Sequence, residues 1–216
     1  MNPSLTSDRR PEKSAALEVC ILAGGTSERM GRDKAGLRLG RWTLLERARA
    51  ISKEANLPAR VVRRDRVPRC GPLGGVYTAL VSSHASALLF LSCDMPFVTT
   101  DLLRKLVFRF QRRGSACFVV KDGVAGFPFL LRRADLGTVK QLLSGGSFSL
   151  QNLAKALPAQ AVHVRGGSAW ELFNVNTPAD LKAARRHWSD RAAKNAPKRP
   201  RPTLSTVSRS ARVLPC

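Results

Sequence analysis

The amino-acid sequence predicts an α/β fold, a three-layer sandwich whose mostly parallel sheet carries helices on both faces. Short apolar runs alternate along the chain with longer segments in which apolar residues recur at helical spacing. This alternation is typical of strand–helix–strand units, which place helices on both faces of a sheet. A chain of 216 residues with 44% hydrophobic residues is long and apolar enough to bury a core without disulfide bonds.

Seven apolar segments are predicted as strands. The clearest is ALLFLS at 87–92, and the run at 17–23 is too short and too β-branched to favour a helix. The predicted strands are 17–23, 59–63, 87–92, 116–120, 126–131, 160–164 and 171–175.

Helices are predicted between these strands. Leu44, Leu45, Ala48, Ile51 and Ala55 share one side of a helix at 43–55. The glycine-rich stretch 71–75 is expected to form a sharp loop that leads into a helix ending near residue 82. The other predicted helices are 99–112, 134–143, 149–157 and 177–188.

The last of these helices has a recognisable start. Thr177 fits the N-cap position, Pro178 the first helical position, and Asp180 the acceptor of a capping box. We therefore expect three regions: a flexible N-terminal arm at 1–16, one folded domain at 17–188, and a basic disordered tail at 189–216.

The charge balance is strongly basic. Lys and Arg number 37 against 15 Asp and Glu, a net charge of +22, and nine of the cations with a single Asp lie between Arg185 and Cys216. Such a field attracts nucleotides, phosphorylated cofactors, nucleic acid or acidic lipid. Aromatic content of 6% and a lone Tyr77 argue against a stacking platform for single-stranded nucleic acid.

The five cysteines form no C-x-x-C pair, and their number is odd. We expect all but Cys216 to be buried free thiols in a reducing compartment. Neither a run of about 20 apolar residues nor an export cleavage site is recognisable. The sequence thus predicts a cytoplasmic protein without membrane association.

The stretch ILAGGTSERMGRDKAGLRLG, residues 21–40, is suited to binding anions. It matches neither the Walker A loop nor the dinucleotide fingerprint. Gly24 and Gly25 nevertheless let the main chain approach a ligand, and successive amides in such a turn can form an anion-binding concavity. Arg29 and Lys34 add a planar guanidinium and a compact ammonium group. The alternative is a surface turn with solvated charges.

Three further stretches stand at predicted strand ends or turns. GPLGG at 71–75 can serve a ligand or only close packing. Asp94 follows the buried strand 87–92, where a carboxylate is costly unless it binds something; a divalent cation beside phosphate oxygens is one possibility and a turn cap the other. Asn174 and Asn176, two apart on a predicted strand, share one face and can orient a ligand or close a turn.

Taken together, these motifs resemble one family. LAGGTSERMGRDKA, GPLGG, CDMPF and NVNTPADL, in this order, look like the signature set of the molybdenum cofactor guanylyltransferases. These are the MobA-type members of the Rossmann-like nucleotidyltransferase group, and the resemblance runs from about residue 19 to 186. It implies transfer of GMP from GTP to the terminal phosphate of molybdopterin with release of pyrophosphate.

The resemblance also implies roles for particular residues. Arg29, Lys34 and Asp94 are the expected catalytic residues, with Asp94 as the ligand of Mg²⁺ and with Arg29 and Lys34 on the triphosphate. Asn174 and Asn176 are expected to face the pterin. Pro72, Leu73 and Gly75 are expected to help shape the base pocket. The expected nucleotide-binding residues are Leu22, Ala23, Gly24, Gly25, Lys34, Asp65, Gly71 and Asp94.

The implied partners are GTP, molybdopterin, other maturation proteins of the cofactor and the acceptor molybdoenzymes, with neither nucleic acid nor membrane. Because the acceptor phosphate supplies the nucleophilic oxygen, no Ser, Cys or His nucleophile is needed, and none of His84, His163 and His187 lies in a motif. Catalysis would depend on positioning and charge neutralisation.

The chain departs from the family between residues 55 and 69. Members have a second strand and a further helix there, whereas these fifteen residues accommodate one strand and little else, which makes the position of Asp65 uncertain. Transfer from CTP, or to a sugar phosphate, is the first alternative, although LAGG at 22–25 instead of LAAG favours guanine. A basic nucleic-acid-binding protein and a non-catalytic chaperone for the cofactor are the others.

Overall fold

The structure is a computed structural model that describes residues 17–24, 34–164 and 170–195. Its main feature is a six-stranded sheet built from strands β1 (Leu17–Leu22), β4 (Ala59–Val62), β5 (Ala87–Ser92), β6 (Cys117–Lys121), β7 (Val124–Arg132) and β8 (Gln160–His163). A two-stranded hairpin of β2 (Arg38–Leu39) and β3 (Trp42–Thr43) lies beside it.

The strand order in the sheet is β4-β1-β5-β7-β6-β8. β1 is parallel to both β4 and β5, and β6 is parallel to β8, while β7 is antiparallel to β5 and β6. Five of these six strands therefore run in one direction, and their carboxyl ends meet at one edge. This confirms the predicted mostly parallel sheet.

Six helices connect the strands: α1 (Leu44–Glu54), α2 (Gly71–Ser82), α3 (Thr100–Arg113), α4 (Leu136–Ser144), α5 (Leu150–Ala156) and α6 (Pro178–Asn195). Their starts follow capping chemistry. Thr43 and Glu46 form a capping box on α1, and the hydroxyls of Thr99 and Ser149 accept backbone N–H groups of α3 and α5. At α6, Thr177 Oγ1 accepts the Asp180 N–H as predicted.

The sheet separates two apolar cores. One lies between the sheet and helices α1 and α3, with Val19, Ile21, Leu89 and Leu103 among its members. The other lies on the opposite face against α2, α4 and α5. This layering explains why β1 and β5 are apolar at nearly every position: each strand contributes side chains to both cores.

Three predictions about elements are wrong. No strand forms at 171–175; Phe173 N–H closes a turn onto the Trp170 carbonyl, and the two rings pack together with centroids 4.6 Å apart. Residues 71–75 are the first turn of α2 rather than a loop before it. Helix α6 continues to Asn195, beyond the predicted end at residue 188. The predicted arm at 1–16 and residues 196–216 of the predicted tail lie outside the described residues.

Four cysteines are confirmed as buried free thiols: Cys20, Cys70, Cys93 and Cys117. Burial raises the pKa of the Cys20 and Cys117 thiols to about 11, so both are neutral core residues near neutral pH. None of the helices in the described part of the chain combines the length and apolarity needed to cross a bilayer.

Candidate active site

Asp94 lies at the carboxyl end of β5 and is held by three contacts. Ser92 Oγ donates a hydrogen bond to Asp94 Oδ1 at 2.5 Å, and Lys34 Nζ lies 3.6 Å from Asp94 Oδ2. The Asp94 carbonyl accepts the Val175 N–H at 2.8 Å. The carboxylate is therefore oriented before any ligand arrives, and it remains 18% exposed to solvent.

Lys34 and Asn176, 142 positions apart in the sequence, meet beside this carboxylate. Lys34 Nζ donates to Asn176 Oδ1 at 2.8 Å and so bridges the amide and Asp94. Lys34 begins a 3-10 helix at Lys34–Gly36 whose Ala35 is buried in the core, which fixes the base of the lysine side chain. An ammonium group held between the oxygen atoms of Asp94 and Asn176 is suited to binding a triphosphate that arrives beside them.

Asp180 supports Asn176 from the start of α6. Its Oδ2 accepts the backbone N–H groups of Asn176 at 3.0 Å and Thr177 at 2.8 Å. Hydrogen bonds lower the pKa of the Asp180 carboxyl below its ordinary value of 3.8. The bond with Thr177 has the largest effect, and the bond with Asn176 has the second largest. Sequence reasoning assigned Asp180 to the helix cap alone and missed this link to the site.

Three glycines and Asp65 come into close contact at the ends of β1 and β4, in a place called the cleft below. A Cβ at Gly24 would lie 2.8 Å from the Arg63 carbonyl oxygen, and one at Gly74 would lie 2.7 Å from the Val67 carbonyl oxygen. A Cβ at Gly75 would meet Leu22 Cδ1 at 3.1 Å. Glycine is required at the first two positions because the opposing atoms belong to the backbone.

The Asp65 carboxylate lies in this cleft. Its oxygens would be 3.0 Å from a Cβ at Gly74 and 3.3 Å from one at Gly75, so it lies against the first turn of α2. Among the described residues it accepts no hydrogen bond, and burial raises the pKa of its carboxyl above 3.8. Arg66 N–H donates to Thr78 Oγ1 at 2.8 Å and anchors the short segment to α2. The shortened interval between β4 and α2 therefore keeps Asp65 beside Gly24, Gly74 and Gly75.

A groove of about 870 Å³ opens between α2, α5 and the β6–β7 hairpin. Its lining includes Met95, next in the chain to Asp94, and Asn174. Lys121 and Phe127 of the hairpin and Phe148, which precedes α5, line it as well. Sequence reasoning missed these last three residues because no motif marks segments that meet only after folding.

The predicted site residues are thus largely brought together. Asn176 joins Lys34 and Asp94 directly, whereas Asn174 lines the groove, so the two amides serve different neighbours. Gly71, at a φ of +51°, begins α2 at the edge of the cleft. Leu22 ends β1, and Ala23 follows it with its N–H donating to the Val62 carbonyl at 2.9 Å. Gly25 and Arg29 lie outside the described residues.

The side chains around Asp94 determine how the site can hold a divalent cation. In the described part of the chain, no three His, Cys, Asp or Glu side chains gather as a metal cluster. The partly exposed carboxylate of Asp94 fits a cation that takes its other ligands from substrate phosphates and water, as Mg²⁺ usually does. The donor set is therefore compatible with Mg²⁺ held jointly by protein and nucleotide.

Comparisons with known proteins decide the family. The model of the MobA-like NTP transferase domain matches residues 19–66 and 49–162. This chain belongs to the MobA-like NTP transferase family. A probable molybdenum cofactor guanylyltransferase of Opitutus terrae is 32% identical over 196 residues, which cover 80% of this chain and 96% of that protein.

Solved structures of this nucleotidyltransferase group share the fold. The molybdopterin-guanine dinucleotide biosynthesis protein A of Archaeoglobus fulgidus superposes with a TM-score of 0.64 at 21% identity, covering 80% of this chain and 99% of that one. The 2-C-methyl-D-erythritol 4-phosphate cytidylyltransferase of Thermus thermophilus gives 0.61 at 19% identity, covering 80% and 98%. The chain is a nucleotidyltransferase with the fold of that group, which the resemblance predicted.

Proposed function

We propose that this nucleotidyltransferase transfers GMP from GTP to the terminal phosphate of molybdopterin and releases pyrophosphate. The observation that carries the proposal is the contact of Lys34 with both Asp94 and Asn176 at the carboxyl end of β5. We place the nucleotide against the cleft with Asp65, at the ends of the nearby strands β1 and β4, and the acceptor in the groove of about 870 Å³ that Met95 and Asn174 help to line. Two substrates bound in this way would meet at Asp94. The relatives named as molybdenum cofactor guanylyltransferases support the choice of substrates.

The cleft is suited to guanine. Gly24 and Gly74 leave no space for a Cβ, so the main chain there is bare and can approach a flat base closely. Asp65 offers a carboxylate without a hydrogen-bond donor among the described residues. Guanine presents two N–H donors on one edge, and pairing them with a carboxylate would offset the cost of burying that charge. Cytosine lacks this paired donor edge.

The groove is suited to the acceptor. A pterin is a flat heteroaromatic ring that Phe127 and Phe148 can contact, with Asn174 and Gln151 as hydrogen-bonding partners for its polar edge. Lys121 supplies a cation for the acceptor phosphate. A volume of about 870 Å³ is sufficient for a ligand of this size.

In the reaction, an oxygen of the acceptor phosphate forms a bond to the α-phosphorus of GTP. The bond between that phosphorus and the oxygen bridging to the β-phosphate breaks, and its electron pair leaves with pyrophosphate. Lys34 neutralises charge on the triphosphate, and Asn176 holds Lys34 in place. Mg²⁺ bound by Asp94 would supply further charge neutralisation at the α-phosphate and the leaving group.

Incubation of the protein with GTP, Mg²⁺ and molybdopterin, followed by mass analysis, tests this proposal. We expect the mass of the guanine dinucleotide product and one pyrophosphate per product. Parallel reactions contain CTP, ATP or UTP, or glucose 1-phosphate as acceptor. Faster product formation with CTP would contradict the assignment of guanine, and transfer to the sugar phosphate alone would contradict molybdopterin as acceptor.

A further inference from the structure

A second groove lies at the opposite end of the sheet from the active site. It has a volume of about 660 Å³ and is called the far-end groove below. It is lined by Ala87, Phe110, Ala134, His84, Arg132 and Arg133. Ala87 begins β5, whereas Asp94 follows the end of that strand, so the two sites are about 20 Å apart at roughly 3.3 Å per residue.

The floor of the far-end groove is apolar and its rim is cationic. The buried Ala87, the half-buried Phe110 and the exposed Ala134 supply the apolar part of the lining, called the floor. His84 and Arg133 are exposed at the rim, and Arg113 is exposed next to Gly114, which also lines the groove. A hydrophobic floor enclosed by basic side chains is the complement of an apolar side chain flanked by carboxylates.

The carboxylates nearest to this rim in the described part of the chain are already paired. Asp135, 2% exposed, accepts hydrogen bonds from Arg132 Nε at 3.1 Å, Arg132 Nη2 at 2.5 Å and the Arg132 N–H. Glu18 lies 3.0 Å from Arg60 Nε and accepts the Ser83 hydroxyl at 2.6 Å. Arg133 and Arg113 have no such partner among the described residues, so their charge is available to a ligand.

We propose that the far-end groove docks an acidic segment of a partner protein, in which one or two apolar side chains are flanked by Asp or Glu. The apolar side chains would occupy the floor against Phe110, and the carboxylates would pair with Arg133 and Arg113. Docking there leaves the cleft and the groove of about 870 Å³ open, so a partner could remain bound during turnover. This inference does not depend on the identity of the nucleotide or the acceptor.

Two other occupants fit less well. Nucleic acid needs a row of cations and exposed rings on which bases stack, whereas Phe110 is half-buried in the floor. Residues 1–16 precede β1, whose Leu17 pairs with Ala87, but they contain three cations and two acids and so do not complement a basic rim. Charge complementarity therefore favours an acidic partner.

Fluorescence anisotropy with a labelled ten-residue peptide tests the proposal. The peptide carries a Leu-Phe pair between two groups of three acidic residues, and the full-length protein is titrated into it. We expect a dissociation constant of about micromolar order, typical of small interfaces. Arg133→Glu should weaken binding by about tenfold, because it reverses a charge that the peptide faces. The matched control Lys105→Glu reverses an exposed cation on another face of α3 and should change binding less than about twofold.

Further measurements test the contributions of the floor and the rim separately, and they distinguish the proposed occupant from other occupants. A peptide with Ser-Ser in place of Leu-Phe should bind markedly more weakly, and equal affinity would overturn the apolar floor as a docking site. Equal effects of Arg133→Glu and Lys105→Glu would overturn the proposal, because they would show that the peptide binds only by general charge attraction. Binding of single-stranded DNA or phosphatidylserine vesicles that Arg133→Glu abolishes would assign the groove to another class of partner. Tighter peptide binding by full-length protein carrying Asp8→Lys and Glu12→Lys would overturn the proposal, because it would indicate that residues 1–16 occupy the groove in the wild-type protein.

Discussion

Asp94 is the residue whose surroundings explain most about the site. Its two carboxylate oxygens are oriented by different groups, Ser92 Oγ and Lys34 Nζ, and its backbone carbonyl binds the segment that carries Asn176. A carboxylate fixed in this way loses little conformational entropy when a cation binds. The same contacts show that Ser92, which sequence reasoning did not single out, belongs to the site.

Replacing Asp94 should abolish turnover and leave the fold intact. We expect Asp94→Ala and the nearly isosteric Asp94→Asn to form no detectable dinucleotide product, because neither side chain can hold Mg²⁺ against the phosphates. Thermal unfolding followed by circular dichroism should be almost unchanged for both. Near-normal GMP transfer by either variant with a normal melting curve would refute the role of Asp94 in metal binding.

Loss of the Lys34 ammonium group should weaken GTP binding. Lys34→Ala removes a charge-assisted hydrogen bond to the triphosphate, which is worth on the order of 1.5–3 kcal/mol. Isothermal titration calorimetry with GTP measures this loss, and Lys53→Ala, an exposed lysine at the end of α1, is the control. An affinity equal to that of the control would contradict contact between Lys34 and the phosphates.

We expect the Asp65 carboxylate to lower the stability of the nucleotide-free protein and to raise its affinity for GTP. Burial raises the pKa of its carboxyl, so the folded state prefers the protonated form and loses stability as the pH rises from the ordinary value of 3.8 through the raised value. At neutral pH the charged carboxylate therefore destabilises the empty protein. We expect Asp65→Asn to raise the melting temperature at pH 7 and to lower the affinity for GTP more than that for CTP.

Melting curves at several pH values and competition binding with both nucleotides check the Asp65 prediction. The difference in melting temperature between wild type and Asp65→Asn should shrink as the pH falls below the raised pKa, where the wild-type carboxyl is also neutral. A variant with lower stability at pH 7 and an unchanged preference between GTP and CTP would contradict both parts.

At the scale of elements, the contact between helix α2 and the short segment 63–67 determines where Asp65 lies. Its first turn is Gly71–Gly75, and the backbone of residues 63–67 crosses directly over it. Pro72 stands in this turn, where its missing N–H costs nothing. The close crossing places Asp65 at the cleft although only eight residues separate β4 from α2.

Gly74→Ala tests this crossing. The new Cβ would lie 2.7 Å from the Val67 carbonyl oxygen, and relief of the overlap requires the backbone of the 63–67 segment to shift. We expect a loss of about 1–3 kcal/mol in the free energy of unfolding, together with weaker GTP binding. Urea unfolding and calorimetry provide the two measurements.

Gly137→Ala, in helix α4, is the matched control. No atom lies within 4 Å of its added Cβ, so the substitution should leave stability unchanged or raise it by up to about 1 kcal/mol. Equal destabilisation by both substitutions would show that helix propensity rather than the close crossing explains the effect at Gly74.

At the scale of the whole molecule, an aromatic stack holds the antiparallel strand in the sheet. The rings of Phe90 on β5, Phe129 on β7 and Phe118 on β6 lie face to face, with centroids 4.8 and 5.0 Å apart, and all three are buried. Phe129 is the middle ring. β7 joins the half of the sheet that carries Asp94 to the half that carries the groove, so this packing fixes the position of the groove relative to Asp94.

Phe129→Ala should therefore be strongly destabilising. Truncation of a buried ring of this kind costs about 3–5 kcal/mol. Denaturant unfolding measures the change, and Phe108→Ala is the control because that ring is 57% exposed on α3. A loss at Phe129 no larger than that at Phe108 would mean that β7 is held mainly by its backbone hydrogen bonds.

Most of the fold could be predicted from the sequence, because apolar periodicity and capping residues act over a few neighbouring positions. Six of the seven predicted strands and all six helices are present, with ends shifted by a few residues at most except at the start of α2 and the end of α6. The predicted strand at 171–175 failed for a tertiary reason. Its Phe173 packs with Trp170 and Phe97 in a third cluster, and its Val175 N–H binds a loop carbonyl rather than a neighbouring strand.

The individual motifs of the site could also be recognised from the sequence, because polar residues and paired glycines are conspicuous next to apolar segments. Their mutual geometry could not. The bond between Lys34 and Asn176 spans 142 positions, and the rim of the groove of about 870 Å³ comes from a hairpin and a helix that no local pattern relates. Local chemistry is encoded by neighbours along the chain, whereas distances between distant side chains arise only when two cores close on one sheet.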